Sequence, residues 1–157
     1  MRVSLIVLFA FAAASVCAAA DLTIVRVWPG YRTAASFDRI SEYFGQAENA
    51  QAQLILRSQA DKRAGYYFLV RVSNIGVTLP DAKIELQVIT PFSPEPKTYL
   101  FSCTLPAKSN VLNLGLTGTD WPGKPKDEVV AWHLRLLSAA GTELANTQSH
   151  LWSMPNK

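Results

Sequence analysis

Charge of one sign, histidine and cysteine are all scarce in this chain of 157 residues, and each scarcity removes a class of function. Fifteen Lys and Arg stand against 12 Asp and Glu, for a formal net charge of +3. The basic residues are dispersed, with Lys62-Arg63 the one adjacent pair, so the clustered cationic footprint that nucleic acid needs is missing. Nucleic acid is excluded as a partner. The only histidines are His133 and His150, and the only cysteines are Cys17 and Cys103. There is no Gly-x-Ser-x-Gly elbow, no His-Glu-x-x-His, no phosphate-cradling glycine loop and no Cys-x-x-Cys. No catalytic residues, metal or cofactor are therefore expected.

Long apolar runs are also missing beyond the N-terminus. Val3 to Ala14 is apolar apart from Ser4, follows Arg2, and leads to Ala18-Ala19-Ala20. A positive start, a short apolar run and small residues before Asp21 are the parts of a secretory signal peptide, expected at 1–20. The alternative is a membrane anchor, but the run is too short to cross ~30 Å of hydrocarbon comfortably. A lipidated Cys17 is a further alternative, although Val16 stands where lipoproteins have a small residue. The expectation is export to the periplasm or cell surface, with no transmembrane span after cleavage. The remaining residues 21–157 carry a net charge of +2 once Arg2 is removed, and suit a single domain. Only Cys103 then survives. It alternates in phase with Tyr99, Phe101 and Leu105, which puts the thiol on a core face as a small hydrophobe.

What the chain does have is β pattern. Gly65 to Asn74 is its densest run of aromatic and β-branched residues, with Tyr66, Phe68, Val70 and Val72 on one face and Tyr67, Leu69, Arg71 and Ser73 on the other. This reads as a central strand. Residues 53–57 read as its hairpin partner across the turn 59–65. Lys83 to Ile89 alternates most cleanly, with Ile84, Leu86 and Val88 inward, as in an antiparallel sheet with one wet face. Further strands are expected at 22–28, stopped by Pro29-Gly30, and at 97–105, 110–116, 129–137 and 142–152. The inward face of 22–28 is undecided, because Val25/Val27 and Ile24/Trp28 are both apolar sets. The last strand alternates poorly, which suggests a bulge or an edge. Phe37, Ile40 and Phe44 at i, i+3 and i+7, with Ser36 to cap and Gly45 to stop, predict one short helix over 36–44 as a lid.

Seven or eight short strands separated by turns give the expected fold class: mainly β, an antiparallel immunoglobulin-like β-sandwich with one short N-terminal helix. Phe68–Asn74 followed by Lys83–Pro91, and the hairpin Trp132–Leu151 turning at Gly141, resemble an immunoglobulin-like or fibronectin-III-like module of secreted bacterial proteins. The resemblance spans roughly 90 residues. Antibody-type domains pair two cysteines around a core tryptophan; this chain keeps Trp132 as a core candidate and lacks the pair. The resemblance implies a fold and no activity.

The functional candidates are aromatics in expected loops. Trp28 and Tyr31 bracket Pro29-Gly30, and Trp121 sits between Asp120 and Pro122. An exposed Trp or Tyr beside polar groups can stack on a sugar ring or anchor a protein, or it can plug an open end of the sandwich. Arg71, with Arg57 and Tyr67, can meet an anionic group or pair with carboxylates on neighbouring strands. A hairpin turning at 139–140 sets His133 opposite Asn146 and His150 opposite Val129, too far apart to share a metal. Glu42, Glu48 and Asp120 are scattered, and the pattern does not establish the two converging carboxyl groups that a glycosidase needs. The functional expectation is a non-catalytic exported protein that binds a glycan or an envelope protein. The alternatives are an assembly subunit that pairs through a sheet edge and, third, a small hydrolase.

Overall fold

The computed structural model describes residues 22–37 and 53–153. Eight strands make up most of it: β1 Leu22–Arg32, β2 Gln53–Arg57, β3 Gly65–Asn74, β4 Leu79–Thr90, β5 Ser93–Leu105, β6 Lys108–Thr117, β7 Ala131–Leu137 and β8 Glu143–Gln148. They form two four-stranded sheets, β1-β3-β6-β2 and β5-β4-β7-β8, in a mainly β, sandwich-like arrangement. Every pairing is antiparallel except β2 with β6.

The alternation in β3 and β4 determines what lies between the sheets. Tyr66, Phe68, Val70 and Val72 join Leu112, Leu114 and Leu116 of β6, and meet Ile84, Leu86 and Val88 of β4 and Leu134 and Leu136 of β7. All are at most 2% exposed. A fully buried side chain of this kind contributes roughly 1.5–3 kcal/mol, so this shared core dominates the stability. Cys103 packs against the same core from β5, and burial pushes its thiol up to about 11.

β3 is central, as its pattern predicts, but its neighbours are β1 and β6. The expected β2–β3 hairpin does not form. β2 lies at the far edge, parallel to β6, with Leu56 opposite Leu114. The chain between β2 and β3 instead passes over the end of β6, where buried Thr117 holds it: Gln59 N donates to Thr117 Oγ1 at 3.1 Å, and Thr117 Oγ1 donates to Gln59 O at 2.9 Å. A short turn signal specifies a reversal, and cannot show that another strand will occupy the gap.

β1 also departs from expectation by running through Pro29-Gly30 to Arg32, in register with β3. Proline fits there because β1 is an edge strand, where a missing N–H can face away from the ladder. A bulge between Ile24 and Arg26 settles the undecided phase of this strand. Leu22, Ile24, Val27 and Tyr31 turn to the core, while Val25 and Trp28 are left exposed. Likewise β5 begins at Ser93, carrying Pro94 and Pro96 on the edge of the second sheet. The β7–β8 hairpin turns at Gly141 with β8 at a sheet edge, but its register sets His133 opposite Gln148 in place of Asn146.

Of the helix expected over 36–44, the described part is a single turn in which Phe37 N donates to Ala34 O at 3.1 Å; residues 38–44 lie outside the described residues. So does the expected leader at 1–20. Among the described residues no helix is long and apolar enough to cross a membrane.

The raised Cys103 pKa has a direct consequence. At mildly alkaline pH the native thiol is almost wholly protonated, whereas an unfolded cysteine with pKa ≈ 8.5 is partly thiolate. Alkylation by iodoacetamide is expected to be at least about a hundredfold slower in the native protein than in denaturant. Comparable rates would place the thiol outside the core.

Candidate functional site

The two outer faces of the sandwich differ in charge chemistry. On the second sheet, Arg135 of β7 reaches Glu85 of β4 at 3.1 Å and Glu143 of β8 at 2.7 Å. Hydrogen bonds from Arg135 and then Asn146 hold the Glu143 carboxyl below its ordinary range. His133 stacks on Trp152 at 5.6 Å and faces Gln87 Oε1 at 3.4 Å. Burial first, and the Arg135 charge second, lower its pKa. The Arg135 charge on this face is thus paired from both neighbouring strands.

The strands of the first sheet hold no carboxylate of their own for such pairing. Its four strands carry Arg26, Arg32, Arg57, Arg71 and Lys108, and no Asp or Glu. Trp28 and Arg71 point outward from β1 and β3, and the β1 bulge brings Arg26 to the same face directly opposite Arg71. The Arg26 guanidinium lies 4.8 Å from the centroid of the Trp28 ring, and that of Arg71 lies 6.0 Å from it. Trp28 remains 37% exposed, so its ring is accessible from solvent. Among the described residues no carboxylate pairs with Arg26 or Arg71, although salt bridges to acids on adjacent strands are the ordinary expectation for such positions. Beside Trp28 a cleft of about 370 Å³ continues along β1, lined by Gly30, Tyr31, Arg32, Thr33 and Ser36.

Arg57 and Tyr67 are not part of this group. β6 separates Arg57 from β3, and the Tyr67 ring crosses over Gly115 to reach it. Arg57 Nε donates to Tyr67 Oη at 2.8 Å, and Tyr67 Oη donates to Arg63 O at 2.6 Å. Phe37 packs on the same ring at 4.9 Å, leaving Tyr67 1% exposed although it points away from the core.

The remaining candidates separate from Trp28. Trp121 is 4% exposed, packed against Tyr66 at 4.5 Å and edge-on to Phe92 at 5.7 Å. It plugs one end of the sandwich and offers no ring face for stacking. Its Nε1 has no hydrogen-bond partner among the described residues. Asp120 closes a 3-10 turn, where Gln59 Nε2 donates to its Oδ2 at 3.4 Å. It is therefore tied to the turn after β2, and stands with Trp121 apart from Arg71. Tyr31 is half-buried in β1 between two clefts: the one beside Trp28, and one of about 520 Å³ reached by Asp61, Lys62, Arg63 and Trp121. The sequence reading missed Arg26, whose outward direction is decided by the bulge that separates it from the inward Ile24. A period-two count through β1 puts it on the same face as Trp28, but that count left the phase of the strand open.

No group of three His, Cys, Asp or Glu residues suited to a metal occurs among the described residues. The sequence matches no protein-family model, and no curated protein is significantly similar to it.

The Tyr67 bridge depends on the absence of a side chain at 115, because a Cβ there falls 2.4 Å from Tyr67 Cε1. Gly115→Ala is expected to destabilise the fold by about 1–3 kcal/mol in urea unfolding, the usual cost of overpacking. An unchanged midpoint would show that the ring moves aside freely.

Proposed function

We propose that this protein is an exported, non-catalytic β-sandwich that binds a glycan of the cell envelope on the outer face of its first sheet. The observation that carries the reading is Trp28: an accessible indole on a rigid strand, flanked by two arginines and continued by a cleft with hydroxyl groups. Aromatic rings of this kind stack on the apolar faces of sugars, while the polar neighbours fix orientation. Trp121 and Asp120 are structural in this reading, and Tyr31 forms the wall of the cleft. An immunoglobulin-like or fibronectin-III-like descent fits the strand order. With β2 set aside, β1-β3-β6 and β5-β4-β7-β8 follow the A-B-E and C′-C-F-G orders of such sandwiches. Export is supported by the leader pattern at 1–20.

Titration with envelope polysaccharides, followed by intrinsic tryptophan fluorescence, tests the binding. Trp28→Ala is expected to weaken it by about tenfold, the effect of ~1.4 kcal/mol, while Trp121→Phe leaves affinity unchanged. Absence of any response, with Trp28→Ala identical to the native protein, would sink the glycan reading.

A second reading, assembly through a sheet edge, is favoured by β8. The edge strands β1 and β5 contain prolines, whereas β8 has neither proline nor lysine in its six residues. Sedimentation velocity is expected to show concentration-dependent association that Thr147→Pro abolishes. A monomer at all concentrations removes this reading.

A further inference from the structure

We infer that the ligand of the Trp28 face is anionic, an acidic polysaccharide whose carboxylates or sulfates are met by Arg26 and Arg71. The inference deepens the glycan reading and rests on it. Arg26 and Arg71 are direct cross-strand partners in the β1–β3 ladder. Like charges in that relation repel, and a sheet ordinarily avoids them or sets a carboxylate between them. The second sheet does the latter, seating Arg135 between Glu85 and Glu143. The first sheet has no acidic residue in any of its four strands. Two guanidinium groups with no carboxylate partner among the described residues are thus held side by side near one indole, a geometry that a bound anion would relieve.

The residue types narrow the anion. A guanidinium presents a planar fork that matches a carboxylate or sulfate bidentately, and it stacks on aromatic rings while doing so. Trp28 beside the paired arginines supplies a platform for a sugar ring with both charged groups within reach of it. The adjoining cleft adds a third cation, Arg32, and the hydroxyls of Thr33 and Ser36, so the surface continues beyond one sugar unit. An extended polymer bearing regularly spaced charges fits that strip, and a neutral glycan leaves its arginines unused.

Isothermal titration calorimetry of the full chain with polygalacturonate and with heparin, against neutral dextran, distinguishes the cases. The acidic polymers are expected to bind, and dextran is not. Affinity should fall steeply with added salt, as screening of exposed charges requires. The double variant Arg26→Gln/Arg71→Gln is expected to lose about tenfold or more in affinity for the acidic polymers, as charge-assisted contacts are removed. Its melting temperature should equal or exceed that of the native protein, because the like-charge pair is gone. Equal binding of dextran, unaffected by salt or by the double variant, would overturn the anionic ligand and leave the glycan reading standing. Equal affinity for duplex DNA would overturn it as well, since charge alone would then be read. Failure of all polymers to bind, with no effect of Trp28→Ala, would remove both.

Discussion

Phe68, Val70 and Leu114 on one sheet can leave water only by meeting Ile84, Leu86 and Leu134 on the other, and the rest of the molecule follows from that closure. Each strand commits alternate residues to the interior, so the face a side chain occupies is determined by its parity relative to those core positions. Trp132 and Cys103 fill in behind the central residues, and Trp121 seals an end against Tyr66 and Phe92. Two of the polar residues buried with the core tie loops to it. Asn74 Nδ2 donates to Val77 O and Pro106 O, and Thr117 is held by Ser58 and Gln59.

With the inner faces committed, only the outer faces and the edges can carry recognition. The second sheet uses its outer face for internal pairing around Arg135. The first sheet divides its own. Near Gly115 the Tyr67 ring is covered by Phe37 and Arg57, and near β1 the arginines flank an accessible Trp28. The β1 bulge links these facts to the proposed function. By inserting one residue at an edge strand it keeps Ile24 and Val27 both in the core and turns Arg26 toward Arg71. Bulges at sheet edges commonly re-aim a side chain in this way.

The contrast between Trp28 and Trp121 shows what residue type alone can and cannot say. Both are tryptophans beside a proline, and both are candidates for stacking when only the chain is considered. Trp121 follows a 3-10 turn at the sandwich end, where an uncovered core edge attracts a large apolar ring. Trp28 lies on the outward parity of a strand whose core positions are already filled by smaller neighbours, so its ring has no interior to enter. The difference is one of position relative to a core assembled from distant segments.

Local pattern was enough for the mainly β class, the inward faces of β3 and β4, the turn at Gly141 and, as one of two readings, an edge place for the last strand. All of these rest on local period and turn chemistry, which act over a few residues. Tertiary structure alone decided that β2 would lie against β6, that β1 would pass through Pro29, that Trp121 would be sealed and that Arg26 would face Arg71. Each of these depends on which strand sits beside which, and neighbours more than 40 residues apart leave no mark on local pattern. Trp28, Tyr31, Arg71, Asp120 and Trp121 were all visible as residues; that Trp28 shares a surface with Arg71 and a cleft with Tyr31, apart from Asp120 and Trp121, became visible when the two sheets closed.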